Sequence, residues 1–168
     1  MVKWADRGFD IDVSQLYFGL GILLLIADQG TKAWIRSAFA PGESQPLIDG
    51  LLHITFVRNT GAAFGLMQGR TLLIIGVTLA VGFFLFMHRA EFARAKVGVR
   101  IAYTLGISGA LGNFVDRVWL GWVTDFIDFR VWPVFNLADS AIVLGVTLLI
   151  WQSVFQRSEE PEQAREGD

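Results

Sequence analysis

Residues 71–87 read TLLIIGVTLAVGFFLFM, a run without one charged side chain, closed by Arg70 before it and by His88 and Arg89 after it. Three further apolar stretches surround it. Leu16 to Ala27 continues past Asp28 to Trp34 and Ile35, and Val97 to Val115 carries Arg100 near its start. Val134 to Phe155 is interrupted only by Asp139 and a few small polar residues. A spanning helix needs about 20 mostly apolar residues, and each uninterrupted core here is somewhat shorter. Flanking Arg and Trp side chains reach the interface and extend the effective span.

Composition agrees with that reading. Of 168 residues, 53% are hydrophobic and 18% charged, where a soluble domain carries roughly a quarter charged. Four apolar stretches in so short a chain leave too little polar surface for soluble core helices. The expected fold is an all-α membrane protein of four transmembrane helices, residues 1–157 forming a single domain. A cleaved leader ending at Ala38-Phe39-Ala40 is the alternative for the first stretch. Asp28, Lys32 and Arg36 lie between its apolar run and that site, and the preceding residues mix Lys3 and Arg7 with Asp6, Asp10 and Asp12. A secretory leader is basic there, so the segment reads as a retained first helix.

Basic residues in short connections set the orientation. Arg89, Arg94, Lys96 and Arg100 crowd the link between the second and third spans, which marks it as cytoplasmic. Both termini are then cytoplasmic as well. Arg36, Arg58, Arg70, Arg117 and Arg130 fall in the outer segments, so density decides rather than totals. In the outer connection Pro41 to Arg70, the β-prone run Leu52 to Val57, with Gly61 and Gly65 nearby, predicts a short strand or hairpin over about 44–66. Trp122 to Val131 reads similarly. The polar tail 158–168 reads as disordered and cytoplasmic. No internal repeat is visible, which weighs against a repeat-built transporter.

Several chemistries are excluded at once. The chain has no cysteine and only His53 and His88, so thiol nucleophiles and thiolate or histidine metal sites are not expected. No metal or organic cofactor is implied. A net charge of -2 without a basic patch speaks against nucleic acid.

What remains are carboxylates, amides and a few cations, and alternation of four spans brings them to one side of the membrane. Asp28 and Lys32 lie at the outward end of the first helix, spaced i and i+4 on one face. Asn113, Asp116 and Arg117 end the third helix, Asn136 and Asp139 begin the fourth, and Asn59 and Asp125 lie in the outer connections. Ionisable residues beside membrane spans are costly and usually functional. Structural readings stand beside the functional ones. Asp28 with Lys32 reads equally as an interfacial helix pair, Asp116-Arg117 as a stop-transfer end, and Asn136 as a helix cap. Gly106, Gly109 and Gly112, with Ser108, form a small-residue face for close helix approach. Trp119, Trp122, Phe126, Phe129 and Trp132 read as an interfacial belt.

Asp139 is harder to explain structurally. It has no cation within a helical turn and precedes a long apolar run, so it is neutral or partnered from another segment. Asp125 is the best candidate to share its site. Two close carboxylates do not both ionise easily; one keeps a proton while the other acts as base. Such a pair activates water for attack on an amide and supplies an acid for the leaving nitrogen. Gly106-Ile107-Ser108-Gly109 matches a rhomboid-type G-x-S-G, yet no histidine follows His88. H-E-x-x-H and presenilin-type G-x-G-D are both missing. Among intramembrane proteases, only a carboxylate pair fits.

Five blocks then carry a resemblance. They are Asp28-Gln29-Gly30-Thr31-Lys32, Asn59-Thr60-Gly61-Ala62-Ala63-Phe64, Gly109 to Arg117 (GALGNFVDR), Val123-Thr124-Asp125-Phe126, and Phe135-Asn136-Leu137-Ala138-Asp139-Ser140. In that order they resemble the bacterial lipoprotein signal peptidases (signal peptidase II). The resemblance implies a four-helix inner-membrane aspartic endopeptidase that cuts diacylglyceryl-modified prolipoproteins just before the lipidated cysteine. It implies Asp125 and Asp139 as the catalytic pair, with Asp28, Lys32, Asn59, Gly61, Asn113, Asp116, Arg117 and Asn136 lining or bracing the site. The segment from Leu52 to Phe64 would resemble a surface cradle for substrate. Expected partners are the prolipoprotein and membrane lipid, the enzyme being monomeric with its site at the outer leaflet. The connector from Asp125 to Asp139 (139 − 125 = 14 positions) is shorter than in many members, which bears on the outer lid. The rival reading is a proton-coupled transporter or channel subunit using Asp28 and Asp139 as carriers; a passive assembly or lipid-binding subunit is a second rival.

Overall fold

The computed structural model describes residues 13–61 and 69–155. The elements run α1 (Val13–Ala38), β1 (Ser44–Ile48), β2 (Leu52–Asn59), α2 (Thr71–Met87), α3 (Arg89–Arg94), α4 (Val97–Leu120), β3 (Val123–Asp128) and α5 (Leu137–Phe155). The charged leader before Val13, the part of the 44–66 segment from Ala62 through Leu66, and the tail 158–168 lie outside the described residues. The fold is mostly helical with one antiparallel sheet in the order β1-β2-β3. Central to it is α4, in contact with α1, α2 and α5.

Local chemistry sets the boundaries. Asp49-Gly50 turns β1 into β2, with Gly50 at φ 72 and the Leu51 amide bonded to Ile48 O at 3.1 Å; positive φ costs glycine nothing. Gly121, at φ 80, ends α4 and donates back to Arg117 O at 3.0 Å, a left-handed cap that redirects the chain into β3. The link between α2 and α4 contains a six-residue helix, α3, that the sequence reading did not anticipate.

Among the described residues, α5 alone is both long and apolar enough to cross a membrane by length and composition; α2 is equally uncharged but only 17 residues long. α1 and α4, at 26 and 24 residues, are long enough, but polar residues gathered toward one end lower their average hydropathy. Side chains are distributed inside out. The largest fully buried ones include Lys32, Asn136, Asp28, Asp116 and Asp125, while Leu72, Phe83 and Leu144 are 84%, 66% and 60% exposed. α2 buries none of its residues. An apolar surface of this extent is suited to lipid, not water. A small apolar cluster of Ile35, Phe56 and Phe126 ties α1 to the sheet.

Glycines bring the polar ends of the helices together. A Cβ on Gly109 would strike the Ala138 carbonyl, and one on Gly112 would sit 2.5 Å from Asp28 Oδ2. The small-residue face expected on this helix is therefore a real contact surface, closing α4 onto both α5 and α1.

Candidate active site

The sheet aims Asp125. Val57 pairs with Asp125 and Asn59 with Val123, so Asn59 is the diagonal neighbour of Asp125 on the same face. Three steps separate Ile54 from Val57 where two separate Ile127 from Asp125, a bulge that reverses which side chains of β2 face which way. Within the bulge, Thr55 Oγ1 donates to Asp128 Oδ2 at 2.7 Å. After it, Asn59 Nδ2 donates to Asp125 Oδ2 at 2.8 Å.

The segment before α5 is strapped to β3. Phe126 and Ile127 amides both donate to Phe135 O, at 2.9 and 2.8 Å, and the Phe135 amide returns to Ile127 O at 3.1 Å. The short connector turns back at Arg130 (φ 63), whose amide and guanidinium are held by Asp128 at 2.8 and 3.1 Å. Asn136 is thereby delivered beside Asp125, donating to its Oδ1 at 2.7 Å. Its own side-chain oxygen accepts the Asp139 amide at 2.9 Å, and Asp139 Oδ2 accepts the Asn136 amide at 3.3 Å. This is a capping box with aspartate at the third helical position. Asn113 of α4 holds the other oxygen of Asp139 at 2.7 Å.

A second layer fixes the first. Lys32, fully buried, contacts Asp28 at 2.9 Å, Asp116 at 3.6 Å and Asn113 Oδ1 at 3.0 Å. Asp28 Oδ1 accepts the Ala138 amide at 3.0 Å at the start of α5, where the free amides of a helix N-terminus favour a carboxylate. Asp116 Oδ2 accepts the Thr124 amide at 2.9 Å in β3. Arg117 bonds Gly61 O at 3.0 Å and Asn113 O at 3.4 Å, and the Gly61 amide donates to Asn59 Oδ1 at 2.9 Å.

All ten residues singled out in the sequence thus fall in one network, but in two tiers. Asn59, Asn113 and Asn136 touch Asp125 or Asp139. Lys32, Gly61 and Arg117 bond Asn113 or Asn59, while Asp28 and Asp116 hold Lys32 and the amides of Ala138 and Thr124. Asn136 caps α5 and also touches Asp125. Arg36 and Thr124 were not singled out, yet Arg36 Nη1 donates to Thr124 Oγ1 at 2.9 Å and lies 3.6 Å from Asp116. The signal was present, since Arg36 stands four residues beyond Lys32 on the same helix face.

Asp125 and Asp139 line a cavity of 1120 Å³. Arg117, Asn59 and Asn113 form its polar end, while Val134, Ile142, Val143 and Leu144 form an apolar flank. Burial first, and then the charge of Asp139, push the Asp125 carboxyl up to about 7, against the hydrogen bonds of Asn59 and Asn136 and the charge of Lys32. A carboxyl near neutrality in a cleft, beside a second one, suits acid–base work. Among the described residues there is no cluster that could hold a metal ion.

Residues 20–155 match the sequence model of the family described as signal peptidase (SPase) II. The lipoprotein signal peptidase of Moorella thermoacetica is 43% identical over 141 residues, covering 84% of this chain and 94% of that protein. That of Syntrophomonas wolfei is 46% identical, covering 80% and 89%. A solved bacterial membrane enzyme, determined by the in meso method at 2.3 Å, superposes with a TM-score of 0.83 at 34% identity over 88% of this chain and 93% of that one. The chain belongs to the signal peptidase II family.

Proposed function

We propose that this protein is an aspartic endopeptidase that removes the signal peptide from diacylglyceryl-modified prolipoproteins, cutting just before the lipidated cysteine, with Asp125 and Asp139 as its catalytic pair. The observation that carries this reading is that Asn136 holds both carboxyls within one half-apolar cavity, its side-chain Nδ2 donating to Asp125 and its backbone amide to Asp139. Near neutrality the pair holds one proton, and its apparent pKa values belong to the pair. The ionised carboxylate takes a proton from water as the water oxygen bonds the scissile carbonyl carbon. Its protonated partner donates to the carbonyl oxygen. As the intermediate collapses, the C–N bond breaks, the proton taken from water passes to the leaving nitrogen, and a hydroxyl proton of the intermediate returns to the other carboxylate, restoring the singly protonated pair.

Asn59, Asn113 and Asn136 orient the carboxylates, and Asp28, Lys32, Gly61, Asp116 and Arg117 hold those amides and helix ends in place. The membrane arrangement is part of the same proposal. Residues 1–157 form one peptidase domain in which α1, α2, α4 and α5 cross the bilayer, and 158–168 lie on the cytoplasmic side. The basic link carrying Arg89, Arg94, Lys96 and Arg100 is cytoplasmic, as are both termini. Some 16 residues of α4, about 24 Å, separate Arg100 from Asp116, so the dyad lies at the outer leaflet of the inner membrane. There a lipid-anchored substrate presents its cleavage peptide, its acyl chains along Val134, Ile142, Val143 and Leu144. The enzyme works as a monomer. A proton-coupled carrier finds no support, because the buried ionisable groups gather at one end instead of forming a path.

Purified enzyme given a diacylglyceryl-modified prolipoprotein and its unlipidated precursor tests the substrate class. Mass spectrometry should find cleavage immediately before the lipidated cysteine and little turnover of the precursor. Equal cleavage of both would refute the role given to lipid.

A further inference from the structure

Between α1, α2 and α4, at the end of the molecule away from Asp125 and Asp139, runs a groove of 520 Å³. Phe18, Ile22, Leu85, Phe86 and Ile107 line it together with Arg89 and Arg100. The Arg100 guanidinium sits 5.3 Å from the Tyr17 ring, and its Nε is buried without a hydrogen-bond partner. Buried donors of this kind normally have an acceptor. Among the described residues, no carboxylate lies within ion-pair distance of Arg89, Arg94, Lys96 or Arg100.

We propose that this groove binds one anionic phospholipid from the leaflet opposite the active site, its phosphate on Arg89 and Arg100 and one acyl chain along the apolar walls. The inference rests on the membrane-spanning arrangement proposed above. Three features select this occupant. From Arg100 to Leu111 the groove follows 11 residues of α4, about 16 Å, close to the roughly 15 Å hydrocarbon depth of one leaflet. Arginine matches phosphate with paired donors, and among the described residues the Arg100 guanidinium has no carboxylate within ion-pair distance to compete for them. Residues 89–100 hold four cations against Glu91 alone, which favours a headgroup of net negative charge over a zwitterionic one. The chain's own tail, QRSEEPEQAREGD from Gln156, has anions but no large apolar side chain to fill the walls.

Native mass spectrometry of the full-length protein with equimolar phosphatidylglycerol and phosphatidylcholine tests this. Wild type should retain phosphatidylglycerol about tenfold over phosphatidylcholine, and Arg89→Gln with Arg100→Gln should bring the two to near equality. Gly82 lines the groove, and a Cβ there meets nothing within 4 Å. Gly82→Phe should therefore fold, fill the groove and lose the retained lipid. Peptidase activity on the lipidated substrate should persist in these variants, since none touches the dyad. Equal retention of both lipids by wild type, or a preference unchanged in the double variant, overturns the proposal. So does a lipid-free wild type, the outcome if residues 1–12 or 156–168 occupy the groove. Phosphatidylglycerol retained by a protein that cleaves nothing would leave the groove assigned and the peptidase reading refuted.

Discussion

Asn136 and Asp139 hold one another reciprocally: the Asp139 amide donates to the Asn136 side-chain oxygen at 2.9 Å, while Asp139 Oδ2 accepts the Asn136 amide at 3.3 Å. A helix cap thus doubles as the device that aims a carboxylate. The remaining amide hydrogens of Asn136 reach Asp125 Oδ1 at 2.7 Å and Asn113 Oδ1 at 3.2 Å. One fully buried side chain therefore couples the end of α4, the strand β3 and the start of α5.

Replacing it separates the two jobs. Asn136→Ala loses a cap, about 1 kcal/mol, and leaves buried partners unmet, about 1–3 kcal/mol more. Thermal unfolding in detergent should register a loss of about 2–4 kcal/mol, with activity down about 100-fold. Asn136→Ser keeps a capping oxygen but loses the donors to Asp125 and Asn113. Its stability should recover the share due to the cap while its activity does not; recovery of both would contradict the double role.

The pH dependence follows from Asp125. Its carboxyl is pushed from 3.8 up to about 7 in the folded protein, so the folded state binds more protons than the unfolded one between those values. Stability contributed by that proton is present below the unfolded value and is lost as pH rises through the window, levelling above about 7. The same titration removes the proton shared by the pair, so kcat/KM should decline above about pH 7. Asn59→Ala deletes a hydrogen bond that favours the charged form, and the basic limb should move to higher pH. A limb that stays put or moves down would show that Asn59 does not act on Asp125.

Helix approach at Gly112 is equally testable. An added methyl group meets Asp28 Oδ2 and the Ala138 side chain, so Gly112→Ala should destabilise by about 1–3 kcal/mol and depress activity by shifting the start of α5. Gly19→Ala, on α1 with nothing within 4 Å of the new Cβ, should be neutral or gain up to about 1 kcal/mol. Melting curves of the two variants side by side check this; equal effects would remove the close approach from the account.

Much of this was legible in residue order alone, and the limits have physical causes. Apolar runs carry their own signal, so α2 and α5 stood out, and the carboxylates and amides beside them pointed to one end of the molecule. Asp139 announced itself because an aspartate beginning an apolar helix needs a partner. The pairing of Val57 with Asp125 did not, since strand register is non-local and here passes through a bulge. Six-residue α3 hides in a charged link too short for a periodic pattern. Arg36 shares the helix face of Lys32, a signal local to α1, but its partner Thr124 acquires meaning only when β3 lies against α1.

The most direct test is cleavage of a diacylglyceryl-modified prolipoprotein by wild type beside Asp125→Asn and Asp139→Asn, each shown folded by its melting curve. The account predicts a single cut before the lipidated cysteine for wild type and a loss of at least about 1,000-fold in either variant. Cleavage that survives in a folded Asp139→Asn or Asp125→Asn protein would contradict the carboxylate pair.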